Sequence, residues 1–570
     1  GIFGRYNGTA TFNIRNKKIN FYSSYSFRHG HRDAENSNFR ETYLNDSIWY
    51  LDQTGTGKRK RRSHFVRAGL DYNLNEKHTL SITTMFNNNR FIKDNSTTYK
   101  YMDEERVFTD LILRDTDEEI AMGSASAGIS WKKEFNTRKH FFLLDINHTM
   151  FNIDESGVYY QQDYFTDYMP TGEFPVYQNT YVDGKNNFTT IRADYENPLN
   201  ENTRIEAGFK STLQITDNNF TSETLDSLSG GYSGDDSLSN HFIYDEQVHA
   251  VYGIFGKKFG QFGVQVGLRA EQVFIVSDLV SAGEKYENPY FSLYPSGHLN
   301  YEMKKQQQLQ LSYSRRVHRP HIHSLNPFTD YSDPANLRKG NPYLLPEYIH
   351  SLEFSYSKQW KPVKMTASLF YKEIENMVHR IKSLTESGVT LTTYENMNNG
   401  RNYGLELIAN AKLYKWWHII ISGNIYQNEV DGADSDGELH NESAAGGGKL
   451  MSTWNLPWDI TLQLSSRYRS PVVIPQGEIR AVYGVDGAIK KQILKEKGSV
   501  SIRVRDIFDT REFRFVTSAD YYKQTSERYR QSRMLFINFT YRFGRLEDTG
   551  QRKRDRRNSG MEDDFQMEID

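Results

Sequence analysis

Apolar and polar residues alternate with a period of two on both sides of a Pro-rich segment near residue 330. The alternating apolar residues are Leu309, Leu311, Tyr313, Leu352, Phe354 and Tyr356. A period of two is typical of a β-strand with one apolar face. We therefore predict two strands joined by a long loop, with these six side chains facing outward and Arg316 and Glu353 facing inward.

The same unit recurs along the chain. Alternation and turn residues together predict 21 strands. Their ranges are 8–15, 18–28, 63–74, 78–90, 122–133, 139–152, 186–197, 203–216, 245–258, 262–276, 289–303, 307–318, 347–360, 363–379, 388–414, 417–429, 446–455, 458–470, 482–495, 498–509 and 531–543.

The connections alternate strictly between short turns and long polar loops. Short turns lie at 16–17, 75–77, 361–362 and 456–457, and long loops lie at 29–62, 91–121, 153–185 and 217–244. A soluble sandwich or propeller does not sort its loops by side, whereas a transmembrane barrel has short periplasmic turns and long outer loops. The pattern predicts an all-β fold, a large antiparallel transmembrane β-barrel of the 22-strand type.

Tryptophan placement favours the same architecture. The tryptophans near short turns are Trp131, Trp360, Trp416, Trp417, Trp454 and Trp458, and Trp49 lies in a long loop. An aromatic girdle at one membrane interface would place them there, although tryptophan is also common at the ends of ordinary strands.

Each strand has one apolar face, suited to lipid, and one polar face. The polar face would line the lumen with charges of both signs, or it would be an ordinary solvated strand face. The charged residues assigned to it are Arg67, Asp71, Asp145, Arg192, Asp194, Arg269, Glu271, Glu353, Glu406, Arg467 and Arg505.

The last predicted strand runs inward, toward the side of the short turns, and counting back along the chain the strand 8–15 also runs inward. We therefore predict that the barrel, residues 1–543, lacks its first outward strand and whatever precedes it. A barrel this wide cannot be filled by its own side chains and normally holds a plug. Residues 544–570 contain a basic run followed by an acidic run, which predicts a disordered periplasmic tail.

Composition narrows the classes further. The chain has 70 Lys+Arg against 72 Asp+Glu, so nucleic acid is not an expected partner. It has no cysteine, which excludes disulfides and thiol chemistry. Mean hydropathy is −0.73, and no run reaches the roughly 18 apolar residues of a membrane-spanning helix. No secretory signal sequence lies at residue 1.

The sequence contains few candidate catalytic or metal-binding motifs. No nucleophile-elbow, zinc-protease or phosphate-loop string is present, so we predict no enzyme and no cofactor. His318, His321 and His323 have a spacing that could hold a metal, but no acidic partner follows at a fixed distance. The segment 431–438 is similar to a calcium loop without its closing glutamate, which leaves weak cation binding open.

The last predicted strand places aromatic residues on one face and stops on an aromatic. Phe539, Tyr541 and Phe543 in this strand resemble the terminal signal by which the barrel assembly machinery recognises outer-membrane barrels. The alternative is an ordinary amphipathic strand, because alternating aromatics are common in sheets.

The segment "LNPFTDYSDPANLRKGNPYLLPEY" closely resembles part of the TonB-dependent receptor-like outer membrane β-barrel family of Bacteroidetes, in which such a loop joins two mid-barrel strands. The opening "GTATFNIRNKKINFYSSYSF" and the ending "FINFTYRFG" are similar to that family's early and last strands. The resemblance spans nearly the whole chain.

The resemblance implies a cell outer membrane protein surrounded by lipid. In full length it would carry an N-terminal plug, couple to TonB and take up a ligand. By the same resemblance we expect the plug to be missing from this sequence. An alternative from another class is a barrel without transport, an adhesin or part of a surface-protein export or assembly complex.

The residues of the Pro-rich segment suggest a structural part and a ligand-contacting part. Prolines fix φ, Gly340 permits a positive φ and residues before proline favour turns, which predicts a stiff outer loop held against the barrel mouth. The structural residues are Asn326, Pro327, Asp333, Pro334, Gly340, Asn341, Pro342, Pro346 and Glu347, with Pro320 at the start. The candidate ligand contacts are Phe328, Tyr331, Arg338 and Tyr343.

Overall fold

The computed structural model describes residues 4–44, 47–137, 139–385, 388–434, 437–474 and 476–544. Within these ranges the chain forms 29 strands and one helix. The elements are β1 (Tyr6–Arg15), β2 (Ile19–Leu44), β3 (Ser47–Asn73), β4 (His78–Met102), β5 (Phe108–Glu134), β6 (Phe141–Tyr164), β7 (Val176–Asn200), β8 (Thr203–Leu225), β9 (Tyr232–Gly234), β10 (Asn240–Phe259), β11 (Phe262–Leu279), β12 (Glu284–Glu287), β13 (Tyr290–Met303), β14 (Gln307–His318), α1 (Ile322–Leu325), β15 (Thr329–Asp330), β16 (Asn336–Lys339), β17 (Glu347–Gln359), β18 (Val363–Leu384), β19 (Thr390–Tyr414), β20 (Trp417–Asp434), β21 (Gly437–Leu456), β22 (Ile460–Arg469), β23 (Val472–Ile474), β24 (Gly477–Ile479), β25 (Val482–Ile493), β26 (Gly498–Arg505), β27 (Glu512–Ala519), β28 (Tyr522–Arg530) and β29 (Met534–Tyr541).

The wall of the barrel consists of 21 strands, each antiparallel to its neighbours along the chain. They are β1 to β8, β10, β11, β13, β14, β17 to β22, β25, β26 and β29. This confirms the predicted fold class and agrees with the predicted number of strands. The remaining short strands belong to the long connections on the outer side.

The two ends of the wall meet at a seam. Among the described residues, β1 pairs only with β2, and β29 pairs only with β26. Both strands run toward the short turns, so they cannot form the antiparallel ladder that joins the other neighbours in the wall. The outer half of β2 instead pairs with β28 across the seam, and Arg5 donates a hydrogen bond to Gln531 at 2.9 Å. A further strand at this seam stays a prediction.

The long polar connections are mostly strand, which the sequence prediction missed. β2 and β3 have 26 and 27 residues and pair up to Leu44 and Ser47, so most of the predicted loop 29–62 is a hairpin. Strand extensions likewise occupy much of the predicted loops at 91–121, 153–185 and 217–244. A strand needs only about 9–11 residues to cross a bilayer. Beyond the membrane both faces meet water, so the apolar alternation disappears while the backbone ladder continues.

The apolar face of the wall points away from the interior. Leu311 pairs with Phe354 and Tyr313 pairs with Leu352, and these four side chains are 36–46% exposed on one face. Side chains of the opposite face contact the segment between β14 and β17, as described below. Trp454 and Trp458 lie beside the turn that joins β21 and β22, on the predicted side of the barrel.

The only helix in the described ranges, α1, has four residues. None of the helices described there is long and apolar enough to cross a membrane. The predicted tail, apart from Gly544, lies outside the described residues, and so does part of the calcium-like segment 431–438.

Candidate ligand-binding chamber

The segment between β14 and β17, residues 319–346, folds into the barrel, and we call it the lumenal loop. It contains α1 and the two short strands β15 and β16, which pair through Thr329 and Lys339. β16 also forms a short parallel ladder with β19, in which Asn336 faces Thr390. The sequence prediction placed this loop against the barrel mouth, and its wall partners Arg40, Tyr99 and Tyr244 lie in the outer parts of their strands.

The first attachment of the lumenal loop to the wall is apolar. Leu325 and Leu344 are 4% and 2% exposed and pack against Phe242, Tyr244 and Leu279. Partly buried apolar residues surround this group, namely Ile275, Ile322, Val378 and Tyr394. Because these apolar side chains of the loop have apolar partners on the wall, their burial holds the loop against the barrel.

An ion-pair network supports the first attachment. Arg319, the first residue of the loop, donates to Glu271 of β11 at 2.6 Å and to the Tyr290 hydroxyl at 2.8 Å. Arg269 donates to the other carboxylate oxygen of Glu271 at 2.6 Å. The side chain of Glu271 is 6% exposed, so both arginines offset the cost of burying its charge. Arg269 and Glu271 thus face the interior, as the sequence predicted.

The second attachment is polar and centres on Asp333. One oxygen of its carboxylate accepts from the Tyr99 hydroxyl at 3.2 Å and from the Ala335 amide at 3.1 Å. The other oxygen accepts from Gln53 at 3.0 Å and from Asn336 at 3.1 Å. Burial and the charge of Asp333 raise the pKa of Tyr99, which lies near the outer end of β4, so its phenol remains a donor.

Arg40 of β2 completes the second attachment. Its guanidinium donates to the carbonyl oxygens of Ala335 and Gly388 at 3.0 and 3.3 Å and to the Thr390 hydroxyl at 3.3 Å. The Thr390 hydroxyl in turn donates to the Ala335 carbonyl. Arg40 is 5% exposed and Thr390 is fully buried, so the loop backbone is fixed between two wall segments.

Several motif residues shape the loop itself. A Cβ at Gly340 would lie 2.3 Å from the carbonyl oxygen of Asn326, so glycine is required there for close approach. The predicted reason, a positive φ, is wrong, because Gly340 is not among the residues with positive φ. Asn341 donates to the Tyr394 carbonyl at 3.0 Å, and Glu347 accepts from the Val378 amide at 2.6 Å.

The prolines of the motif lie within or beside these attachments. Pro320, Pro342 and Pro346 line a small cavity next to the first attachment. Pro334 lies between Asp333 and Ala335 of the second, and Pro327 follows Asn326, whose side chain accepts from the Phe328 amide at 3.1 Å.

Between the lumenal loop and the inner wall lies a cavity of about 670 Å³, which we call the chamber. The loop contributes Phe328, Asp330, Tyr331 and Arg338. The wall contributes side chains of β5 to β8 and β10, among them Arg114, Glu118, Glu155, Tyr159, Thr180, Lys185 and Asn218. A cavity of this size, with aromatic residues and a few convergent polar groups, has the character of a small-molecule site.

The polar side chains of the chamber wall are held by one another. Glu118 pairs with Lys93 at 2.6 Å and accepts from the Tyr159 hydroxyl at 3.3 Å. Arg114 donates to Gln161 at 3.0 Å. The sequence analysis missed these residues because they lie in strand extensions that were predicted as loops. Polar residues at every second position, as in Arg114, Thr116 and Glu118, were the available signal.

The structure brings together three of the four candidate ligand contacts. Phe328, Tyr331 and Arg338 line the chamber. Tyr343 does not line it; this side chain is 73% exposed and packs edge-on against Tyr286, with ring centroids 5.3 Å apart.

The three candidate metal ligands are separated. His318 bonds to Glu347 at 2.7 Å and contacts the ring of His321, whereas His323 lines the chamber. Within the described part of the chain no group of three or more potential ligands converges on one point.

The terminal strand has the predicted alternation. Leu535, Ile537, Phe539 and Tyr541 are exposed on one face of β29, and Phe543 lies beyond the strand against Tyr541, with ring centroids 4.5 Å apart. Their role as an assembly signal stays a prediction.

Comparison with known proteins supports the architecture. The model of the outer membrane protein beta-barrel family matches residues 133–541. No curated protein matches the chain.

Solved structures are similar in fold. The copper transporter OprC has a TM-score of 0.57 at 11% identity, over 88% of this chain and 80% of that one. The ferric citrate transporter FecA in its unliganded form has a TM-score of 0.55 at 13% identity, over 93% and 78%. The ferripyoverdine receptor of the outer membrane of Pseudomonas aeruginosa has a TM-score of 0.53 at 10% identity, over 93% and 72%. At such low identity the similarity shows the fold alone.

Proposed function

The chain belongs to the outer membrane protein β-barrel family and is a multi-pass barrel of the cell outer membrane; from this premise we propose that it is the barrel of a TonB-dependent receptor. It takes up a ligand from outside the cell. The observation that carries the proposal is the lumenal loop, which crosses the interior and closes a chamber against the wall. A purely structural barrel has no need for such a chamber.

The lumenal loop supplies a physical mechanism for capture. A ligand that enters from the outer side meets Phe328, Tyr331 and Arg338 on the loop and Arg114 and Tyr159 on the wall. The aromatic rings provide apolar contact area, and the charged groups orient the ligand. Passage toward the periplasm then requires movement of the loop, and no chemical reaction is involved.

The proposed partners follow from the family resemblance and the fold. In the full-length protein a plug domain would occupy the lumen, and TonB would displace it from the periplasm. The barrel assembly machinery would recognise β29 through Phe539, Tyr541 and Phe543. OprC is a copper transporter and FecA is a ferric citrate transporter, which supports the transport class and leaves the ligand of this chain open.

Growth of a deletion strain tests the transport class. We expect the strain to grow more slowly than its parent on at least one defined source of iron, cobalamin, glycan or peptide, and to recover on complementation. Equal growth on every source, together with a defect in adhesion or in surface-protein export, would instead establish the alternative of a barrel without transport.

A tether tests the role of the lumenal loop. The chain has no cysteine, so Leu337→Cys with Leu391→Cys, which are partners in the ladder between β16 and β19, creates a unique pair. We expect oxidation to slow uptake by about tenfold or more and reduction to restore it. The control pair is Ser296→Cys with Ser314→Cys, on the wall strands β13 and β14. Uptake that is unchanged by the oxidised tether would contradict movement of the loop.

A further inference from the structure

Five cationic side chains from three segments converge near the second attachment, and we call them the basic cluster. They are Arg338 of the lumenal loop, Arg380 and Lys382 of β18, and Arg528 and Arg530 of β28. The register of the sheet explains part of this convergence, because Arg338 and Lys382 both pair with Thr392 of β19. Lys382 lies far beyond the roughly 9–11 residues of β18 that cross the membrane, so the cluster is on the outer side.

The members of the basic cluster have no carboxylate at ion-pair distance within the described ranges. None of its five members forms an ion pair within 4.0 Å there. Asp330, the ladder partner of Arg338, instead accepts from the Ser332 amide. The polar contacts of the cluster are with neutral groups: Lys382 donates to Gln524 at 2.9 Å, and Arg380 donates to the Tyr394 hydroxyl at 3.4 Å.

Two cations elsewhere inside the barrel are paired with carboxylates. Lys93 bonds to Glu118 and Arg319 bonds to Glu271, each at 2.6 Å. Like charges held together without anions repel one another, and the energy of folding must offset that repulsion. The effect shows at Lys382, whose pKa is lowered to about 8 by burial and by Arg40, Arg380, Arg338 and Arg528.

Arg40 adds a fixed positive charge behind the basic cluster. Its guanidinium is held by carbonyl oxygens and a hydroxyl, and its Nε is buried without a hydrogen-bond partner. The charge of Asp333 acts on Arg40 but forms no ion pair with it, since its oxygens accept from the four neutral donors described above. The carboxylate of Asp333 in the second attachment therefore faces Arg40 and the basic cluster without forming an ion pair with them.

The basic cluster is continuous with the chamber. Arg338 and Tyr394, the partner of Arg380, both line the chamber, and Arg114 and Lys185 line its far side. Arg338, Arg380, Arg528 and Arg530 are exposed. Guanidinium groups present planar forks that match the oxygens of phosphate and carboxylate groups.

We propose that the basic cluster binds a small polyanion, a ligand that carries two or more phosphate or carboxylate groups. One such group bonds to the exposed arginines while the rest of the ligand extends into the chamber. The idea that this anion is the transported cargo rests on the proposed function. The binding of the anion, in contrast, can be measured on the purified barrel.

Calorimetry on the full chain in detergent tests the proposal with two probes, inorganic tripolyphosphate and the tricarboxylate tricarballylate. We expect at least one probe to bind, and the double variant R380Q/R528Q to bind it at least roughly tenfold more weakly, since two charge-assisted contacts are lost. The probe that binds more tightly shows whether the cluster prefers phosphate or carboxylate groups. The variant R380K/R528K keeps the charge and should recover part of the affinity.

The matched control is K60Q/R90Q on β3 and β4, which also removes two exposed charges, each paired with its own carboxylate. We expect its affinity to stay within about twofold of the parent. An equal loss in the control, or binding of neither probe by the parent chain, would overturn the proposal. If the protein bound the anion but its deletion strain showed no growth defect, the transport function would be refuted and this inference would stand. If the protein took up a ligand but did not bind the anion, this inference would be refuted and the transport function would stand.

Discussion

The lumenal loop is attached to the wall at two places that differ in chemistry. The first attachment buries Leu325 and Leu344 among apolar side chains and is closed by the Arg319–Glu271 ion pair. The second depends on Asp333 and Arg40, with few apolar contacts beyond Ala335. One end is therefore held mainly by burial and the other mainly by hydrogen bonds.

This difference suggests which end of the loop moves. Burying a leucine stabilises by about 1.5–3 kcal/mol, and water offers no substitute for that contact. A hydrogen bond to a charged group contributes about 1.5–3 kcal/mol net, but water can replace the partner when the site opens. We expect the second attachment to open first, with the first attachment serving as the hinge.

The largest expected effect is at the first attachment. Leu344→Ala should destabilise the docked loop by about 2–5 kcal/mol, because the substitution leaves a cavity among Phe242, Tyr244 and Leu325. Hydrogen exchange of the amides of residues 322–326 would report this as faster exchange. Leu345→Ala is the control, since Leu345 is 46% exposed and should change stability by less than about 0.5 kcal/mol. Equal effects at both positions would contradict an apolar hinge.

The second attachment should weaken when a single carboxylate, that of Asp333, is removed. Asp333→Ala removes the acceptor of four hydrogen bonds, and we expect it to weaken docking of residues 329–339 by about 1.5–3 kcal/mol. Hydrogen exchange should accelerate in that segment and stay unchanged at 322–326. The matched variant is Asp330→Ala, in the same loop but without these wall contacts. If both segments exchanged faster in Asp333→Ala, the loop would be one cooperative unit and the proposed difference would fail.

The second attachment should also depend on pH. The folded pKa of Lys382 is about 8 and its ordinary value is 10.5, so between these values the opened state binds more protons. The docked state is therefore expected to gain stability as pH rises through this window, by on the order of 1 kcal/mol. The arginines around Lys382 stay charged, and Tyr522, whose pKa is raised to about 12, stays neutral.

Hydrogen exchange of residues 329–339 at pH 7.5 and pH 10, corrected for intrinsic rates, measures this dependence. Lys382→Met should abolish it, whereas Lys339→Met, at an exposed position of the same loop, should retain it. A docked loop that weakened as pH rose would contradict the assigned sign.

The wall could be read from the sequence because lipid imposes a period of two on each strand. The outward direction of Leu311, Tyr313, Leu352 and Phe354 needed no information beyond that period. The strand extensions could not be read in this way, because water on both faces removes the apolar alternation although the hydrogen-bonded ladder continues. Arg114 and Glu118 were missed for that reason.

The lumenal loop shows a second limit of sequence reasoning. The prolines predict a stiff connection, but the place where it docks depends on contacts with residues far away in sequence. Asp333 meets Gln53 and Tyr99, and Leu344 meets Phe242, and no local pattern encodes such pairs. The basic cluster escaped notice for the same reason, since its members are dispersed from Arg338 to Arg530.

The smallest expected effect is at Tyr343, the one candidate ligand contact outside the chamber. Tyr343→Ala removes only an exposed contact with Tyr286 and should change stability by less than about 0.5 kcal/mol, with uptake unchanged. Tyr331→Ala is its counterpart, because Tyr331 is also exposed but lines the chamber, and we expect it to reduce uptake several-fold. Uptake rates in complemented deletion strains would compare the two. If the Tyr343 variant lost as much uptake as the Tyr331 variant, the ligand would contact the loop on the face away from the chamber, and the chamber would not be the site of capture.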